Sequence, residues 1–200
     1  MFISKLFSSV MAIAIFAIIP FVWWYLNDRD NQSFSCSVGI KKVQGSKPKI
    51  IITSLLTTVV FLIMGFLILY NTSKTEIAIS EFYGLEFIAI PGILIYAIFN
   101  TSLPEEILFR GFLLKRLNDQ MPFYLANSIQ ALAFGLVHGI IFYNSVSNIA
   151  VIFIAIFTMA LALSMGYINE KLSNGSIAPS WTIHALANVF SGLCAAFMLF

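Results

Sequence analysis

"SLPEEILFRGFLLKRL", Ser102 to Leu117, sets two adjacent carboxylates, Glu105 and Glu106, and one guanidinium, Arg110, among hydrocarbon side chains. Its reading decides the fold, because charges in a greasy segment mean one thing in water and another in lipid. The surrounding chain points to lipid. Of its 200 residues 60% are hydrophobic and 10% charged, and the mean hydropathy is +0.92. Soluble domains average about 45–50% apolar. Twenty Phe against nine acidic residues argue against a water-soluble domain. In a bilayer the backbone must satisfy its own hydrogen bonds, which leaves helices or closed barrels. Barrel strands alternate over roughly 10 residues, whereas the apolar runs here are continuous and far longer. The expectation is an all-α, polytopic membrane protein.

A crossing helix needs about 20 apolar residues. Five runs qualify: 6–26, 50–70, 122–143, 148–168 and 178–200. Trp23, Trp24 and Tyr25 form an interfacial aromatic belt at the end of the first. That run is too long and too bulky at its end for a signal peptide. A sixth crossing falls in 85–117, with a break expected near Asn100–Pro104 and Pro104 in the first turn of the resumed helix. Lys115 and Arg116 then mark its exit to water. The division is 1–99, N-terminal membrane helices with a basic loop at 27–49, and 100–200, a membrane domain holding the chemistry.

Six crossings put Arg29, Lys41, Lys42, Lys47, Lys49, Arg110, Lys115, Arg116 and Lys171 on one side, and Lys5 and Lys74 on the other. A seven-crossing reading, with 104–119 as a full span, balances the basic residues five against five. The biased arrangement is the one membranes select, with the basic side cytoplasmic. The basic loop suits anionic headgroups. There is no basic, aromatic-interleaved patch, so nucleic acid is not an expected partner. Cys36 and Cys194 form no CxxC pair and imply neither a disulfide framework nor a thiolate metal site.

The chain's two histidines stand out next. Between Met121 and Asn169, and again after Leu172, there is no Asp, Glu, Lys or Arg, yet each region holds one histidine, His138 and His184. Ionisable groups within a membrane are costly and mark functional sites or paired networks. Residues four apart share a helix face. Glu106 therefore pairs with Arg110, Phe134 lies with His138, and His184 with Asn188. Glu105 points about 100° away from Glu106 and is left for other work. Counted from Lys115, from the start of the last crossing and from Pro122, the depths differ: ~15 Å for Glu105, ~9 Å for His184 and ~24 Å for His138. Convergence requires a tilted helix or one that begins above the interface.

Amide hydrolysis inside a membrane needs a water, a base, donors for the oxyanion and an acid for the leaving nitrogen. Glu105 can be the base, His138 can share the water, and His184 and Asn188 can donate to the oxyanion. Glu106, Arg110 and Phe134 read as support. Imidazole and carboxylate also suit a divalent ion such as zinc, so a metal is left open. The plainer alternatives are a capping box at Ser102-x-x-Glu105 and histidines that merely bridge helices.

The motifs EEILFR, FGLVH and HALAN, in that order and with Pro179 ahead of the third, resemble the CPBP family of CAAX proteases and bacteriocin-processing proteins, also called Abi. The resemblance covers roughly 100–192. It implies an intramembrane endopeptidase in which Glu105 and His138 activate water and His184 and Asn188 stabilise the oxyanion. It implies a peptide or protein substrate in or near the bilayer, and placement in a bacterial cell membrane with the site toward the cytoplasm. Two other classes stay in view. One is a toxin- or bacteriocin-immunity protein acting by binding; the other is a small proton-coupled transporter, which would favour inverted repeats. No HExxH, Gly-x-Ser-x-Gly or Gly-x-Gly-Asp motif is present.

Overall fold

The computed structural model describes residues 2–72 and 80–199. Lys74, counted above on the less basic side, and Phe200, the end of the last expected crossing, lie outside them. Among the described residues the chain is helical without strands. Helix α1 spans Phe2–Asn27, and a short α2 (Phe34–Ser37) sits inside the polar loop. Helix α3 spans Lys47–Thr72, α4 Glu86–Asn118, α5 Phe123–Phe142, α6 Asn148–Leu172 and α7 Ala178–Ala196.

Five of these, α1, α3, α4, α5 and α6, are long and apolar enough to cross a membrane. The last expected crossing along the chain, α7, falls short of that apolarity because Ser180, Thr182, His184, Asn188 and Ser191 lie along it. Ser180 and His184 are buried, so this part of the polarity faces the protein interior, while Thr182 is exposed and returns its hydroxyl to Ala178 C=O. The burial pattern is inverted relative to a soluble domain. Ile15, Ile18, Leu55, Leu132 and Ile152 are exposed, whereas Glu106, Arg110, Gln130, Asn169 and Ser180 are buried. Apolar outside with paired polar groups inside is the arrangement hydrocarbon favours.

The ends of the helices confirm the up-and-down order. At one end Lys5 pairs with Glu81, and Gly84 N–H donates to Ala195 C=O. At the other end Ile177 N–H donates to Gly39 C=O, and Ser176 Oγ donates to Lys41 C=O. Asn174 Nδ2 there donates to Gln44 Oε1. Lys115 does not simply leave for water. It bonds Glu170 at 2.9 Å and Gly175 C=O at 2.8 Å, tying α4 to the end of α6. Arg116 lies 4.2 Å over the Trp23 ring.

The expected break in α4 is a change of hydrogen-bond register. Tyr96–Ser102 and Ile107–Leu113 are π-helical, and the chain stays helical through Asn100–Pro104. Pro104 has no N–H, and its ring crowds the carbonyl one turn earlier. The wider π register absorbs that misfit. No side-chain cap forms at Ser102, so the capping-box reading of Ser102 and Glu105 falls.

Helices α5 and α6 pack through small residues. A Cβ on Gly135 would lie 2.5 Å from Ala155 C=O and 2.9 Å from Met159 Cβ. Close backbone approach of this kind drives helix association in lipid, where both surroundings are equally apolar.

Candidate active site

Two adjacent hairpins bring the ionisable residues to one level. Glu105 precedes the end of α4 at Asn118 by thirteen residues, and His138 follows the start of α5 at Phe123 by fifteen. At ~1.5 Å per residue both lie roughly 20 Å from the shared turn. Measuring Glu105 from Lys115 understated its depth. His184 is only six residues into α7, but α7 itself begins inside the protein. Ser173, Ser176 and Ile177, just before it, are all buried.

The result is a convergence on one oxygen. Glu105 Oε2 lies 3.9 Å from His138 Nε2 and 3.7 Å from His184 Nε2. That oxygen is buried and has no hydrogen-bond partner. Both gaps exceed a direct hydrogen bond, and a polar contact beyond about 3.5 Å invites a bridging water.

Each imidazole is turned by its other nitrogen. His138 Nδ1 donates to Phe134 C=O at 2.9 Å, since a carbonyl only accepts. His184 Nδ1 donates to Glu106 Oε1 at 3.0 Å. Both Nε2 atoms are therefore presented to Glu105, because the partner of one ring nitrogen determines what the other can do.

Glu106 and Arg110 form the expected i,i+4 pair at 3.2 Å, with both side chains fully buried. Their surroundings go beyond support of one helix. The guanidinium carbon sits 4.1 Å from the Phe134 ring centroid, a cation–π contact strengthened by desolvation. Phe134 also packs against His138, centroids 4.3 Å apart and planes tilted by 37°, and meets His184 edge-on at 5.9 Å. Phe109 holds the ring at 5.0 Å and 90°. Phe134 thus wedges both imidazoles and the arginine.

Several participants escaped the sequence reading. Ser180 Oγ donates to Glu106 Oε2 at 2.5 Å, and Asn169 Nδ2 donates to Ser180 Oγ at 2.6 Å. Ser180 was visible as one step of a four-residue ladder, Ser180–His184–Asn188; Asn169 carried no signal. Asn188 lies at the site but is engaged: its Nδ2 donates to Thr101 Oγ1 at 2.8 Å and Ser102 Oγ at 3.1 Å.

The site opens into a cavity of about 310 Å³. Glu105, His138, His184, Asn188, Thr101 and Tyr96 line its polar end, and Phe61, Phe157, Leu161 and Phe190 its apolar walls. Among the described residues no group of three or more His, Cys, Asp or Glu side chains is placed to hold a metal ion. Glu106, the nearest further carboxylate, is already taken up by Arg110, Ser180 and His184.

No curated protein and no solved structure matches the chain. A family model does: the Rce1-like type II CAAX prenyl endopeptidases, over residues 87–190. That match covers just over half of the chain and takes in every motif position from Glu105 to Asn188. The chain belongs to the Rce1-like type II CAAX prenyl endopeptidase family.

Proposed function

We propose that the protein is an intramembrane endopeptidase that hydrolyses a peptide bond with a water activated by Glu105 and His138. The observation that carries this reading is the unpartnered Glu105 Oε2, facing two oriented imidazole nitrogens at the edge of the cavity. Water held between Glu105 Oε2 and His138 Nε2 gives a proton to the carboxylate as its oxygen attacks the scissile carbonyl. The negative charge that develops on the carbonyl oxygen is met by His184, whose Nε2 donates when the ring is protonated. Glu106, accepting from Nδ1, holds the ring in the orientation that aims Nε2 at the reacting carbonyl, as a carboxylate partner does for a catalytic imidazole.

Asn188 contributes a second donor by leaving one of its two hydroxyl partners. The proton on Glu105 then passes to the departing nitrogen and the C–N bond breaks. One product gains hydroxyl and the other hydrogen, so the water is fully accounted for. The fully buried Glu106–Arg110 pair beside the site avoids the cost of an isolated ion.

The protein, reconstituted in lipid nanodiscs and incubated with a peptide library, is expected to generate new termini detectable by mass spectrometry. Glu105→Gln and His138→Gln should each abolish them. Cleavage that persists in both variants would overturn the reading. If a cell is protected from a peptide toxin equally well by wild type and by Glu105→Gln, protection by binding takes its place.

A further inference from the structure

In the buried chain Asn169–Ser180–Glu106 the first two members have no part in the steps above, and none of the three lines the cavity. It joins three helices. Asn169 lies in the π-helical end of α6, Ser180 in the first turn of α7, and Glu106 in α4. Asn169 grips Ser180 twice, giving Nδ2–H to its Oγ at 2.6 Å and taking its backbone N–H on Oδ1 at 3.3 Å. The Ser180 hydroxyl, aimed in this way, donates to Glu106 Oε2 at 2.5 Å, with Ile177 C=O as a second acceptor at 3.0 Å.

That leaves Oε1 of Glu106 to face Arg110 and His184. A carboxylate held on one oxygen cannot swing about its terminal torsion, which is otherwise broad and roughly two-fold. We propose that Ser180, aimed by Asn169, is a positioning residue: by fixing Glu106 it fixes the orientation and the Nδ1 proton of His184.

The charged and titratable groups facing His184 are Glu105 and Glu106 from α4 and His138 from α5, with Arg110 behind Glu106. Of these only Glu106 touches Nδ1. If the Glu106 carboxylate turns, the Nδ1 proton loses its acceptor. The ring can then turn to another rotamer. Partners that orient imidazoles at metal centres are worth on the order of 10–100-fold in activity, and the same scale is expected here. Because Ser180 does not reach the cavity, the loss should fall on kcat and leave KM unchanged.

This proposal rests on the peptidase reading for its kinetic part only; its structural part is read by NMR. Full-length protein labelled with ¹⁵N-histidine and reconstituted in lipid has two imidazoles to resolve, assigned with His138→Gln. Wild type should give one Nδ1–H resonance for His184, protected from exchange with water. In Ser180→Ala that resonance should broaden and lose its protection from exchange, and kcat should fall about tenfold. Ser180→Thr, which keeps the hydroxyl, should restore both. Asn169→Ala should weaken the same resonance with Ser180 in place, so the result does not depend on one variant folding. An unchanged His184 Nδ1–H signal in folded Ser180→Ala overturns the proposal whatever the activity. A changed signal in a protein that cleaves nothing, even as wild type, supports the positioning and overturns the peptidase.

Discussion

At the scale of single residues, Glu105 and Glu106 sit side by side with opposite fates. Glu106 is fully buried and satisfied by Arg110, His184 and Ser180; Glu105 keeps one buried oxygen unpartnered. Two substitutions should separate them. Glu105→Gln removes no ion-pair partner from a buried cation, so its melting temperature in detergent should match wild type. Hydrolysis should fall by at least ~10²-fold, the lower bound for a general base. Glu106→Ala leaves Arg110 buried and uncompensated, which costs about 3–5 kcal/mol. A thermal melt should therefore show clear destabilisation, and an unaltered melt would contradict the buried pair.

Which residues were legible follows from chemistry. Charges and histidines in hydrocarbon are expensive, so Glu105, Arg110, His138 and His184 declared themselves. Ser180, Asn169 and Thr101 did not, because small polar residues are ordinary fillers between membrane helices. The role of Asn188 was also narrower in sequence than in space. Four-residue spacing put it beside His184, but nothing along the chain disclosed that its amide is bonded to Thr101 and Ser102.

At the scale of elements, the site depends on two hairpins and on the π turns of α4. Lengths alone put the helices in place; 50–70 and 122–143 were read within a few residues of α3 and α5. The π registers were not legible, because a wider turn has no composition of its own; only Pro104 hinted that α4 could not be regular. The α5–α6 contact offers a test remote from the charged groups. Gly135→Ala would set a methyl group 2.5 Å from Ala155 C=O. Overpacking of this kind costs about 1–3 kcal/mol. Moving α5 also moves His138, three residues on. Activity in Gly135→Ala should therefore drop more than in Gly65→Ala, whose Cβ would meet only Phe157 Cζ at 3.8 Å. Equal activity in the two variants would show that α5 can shift without disturbing the site.

At the scale of the molecule, the chain is a membrane-embedded bundle whose apolar outside was plain from composition and whose polar inside was not. The last helix shows why. Its polar residues make it a poor crossing by hydropathy, yet Ser180, His184 and Asn188 turn toward α4, which satisfies them. The loop at 27–49 and the segment 173–177 share one end of the bundle, opposite Lys5 and Glu81. If the basic loop is cytoplasmic, as the bias of basic residues leads one to expect, a membrane-impermeant maleimide should label Cys36 from the cytoplasmic side only. A cysteine replacing the exposed Ile3 should react from the opposite side. Labelling of both from one side would break the six-crossing order.

The gathering of Glu105, His138 and His184 around one water is tested most directly by tracing that water. A peptide cleaved by the nanodisc-embedded protein in H₂¹⁸O should carry one ¹⁸O in the newly formed carboxylate at first turnover. The Glu105→Gln protein, equally folded, should yield no labelled product. Labelled product from Glu105→Gln at the wild-type rate would mean that the carboxylate does not handle the water.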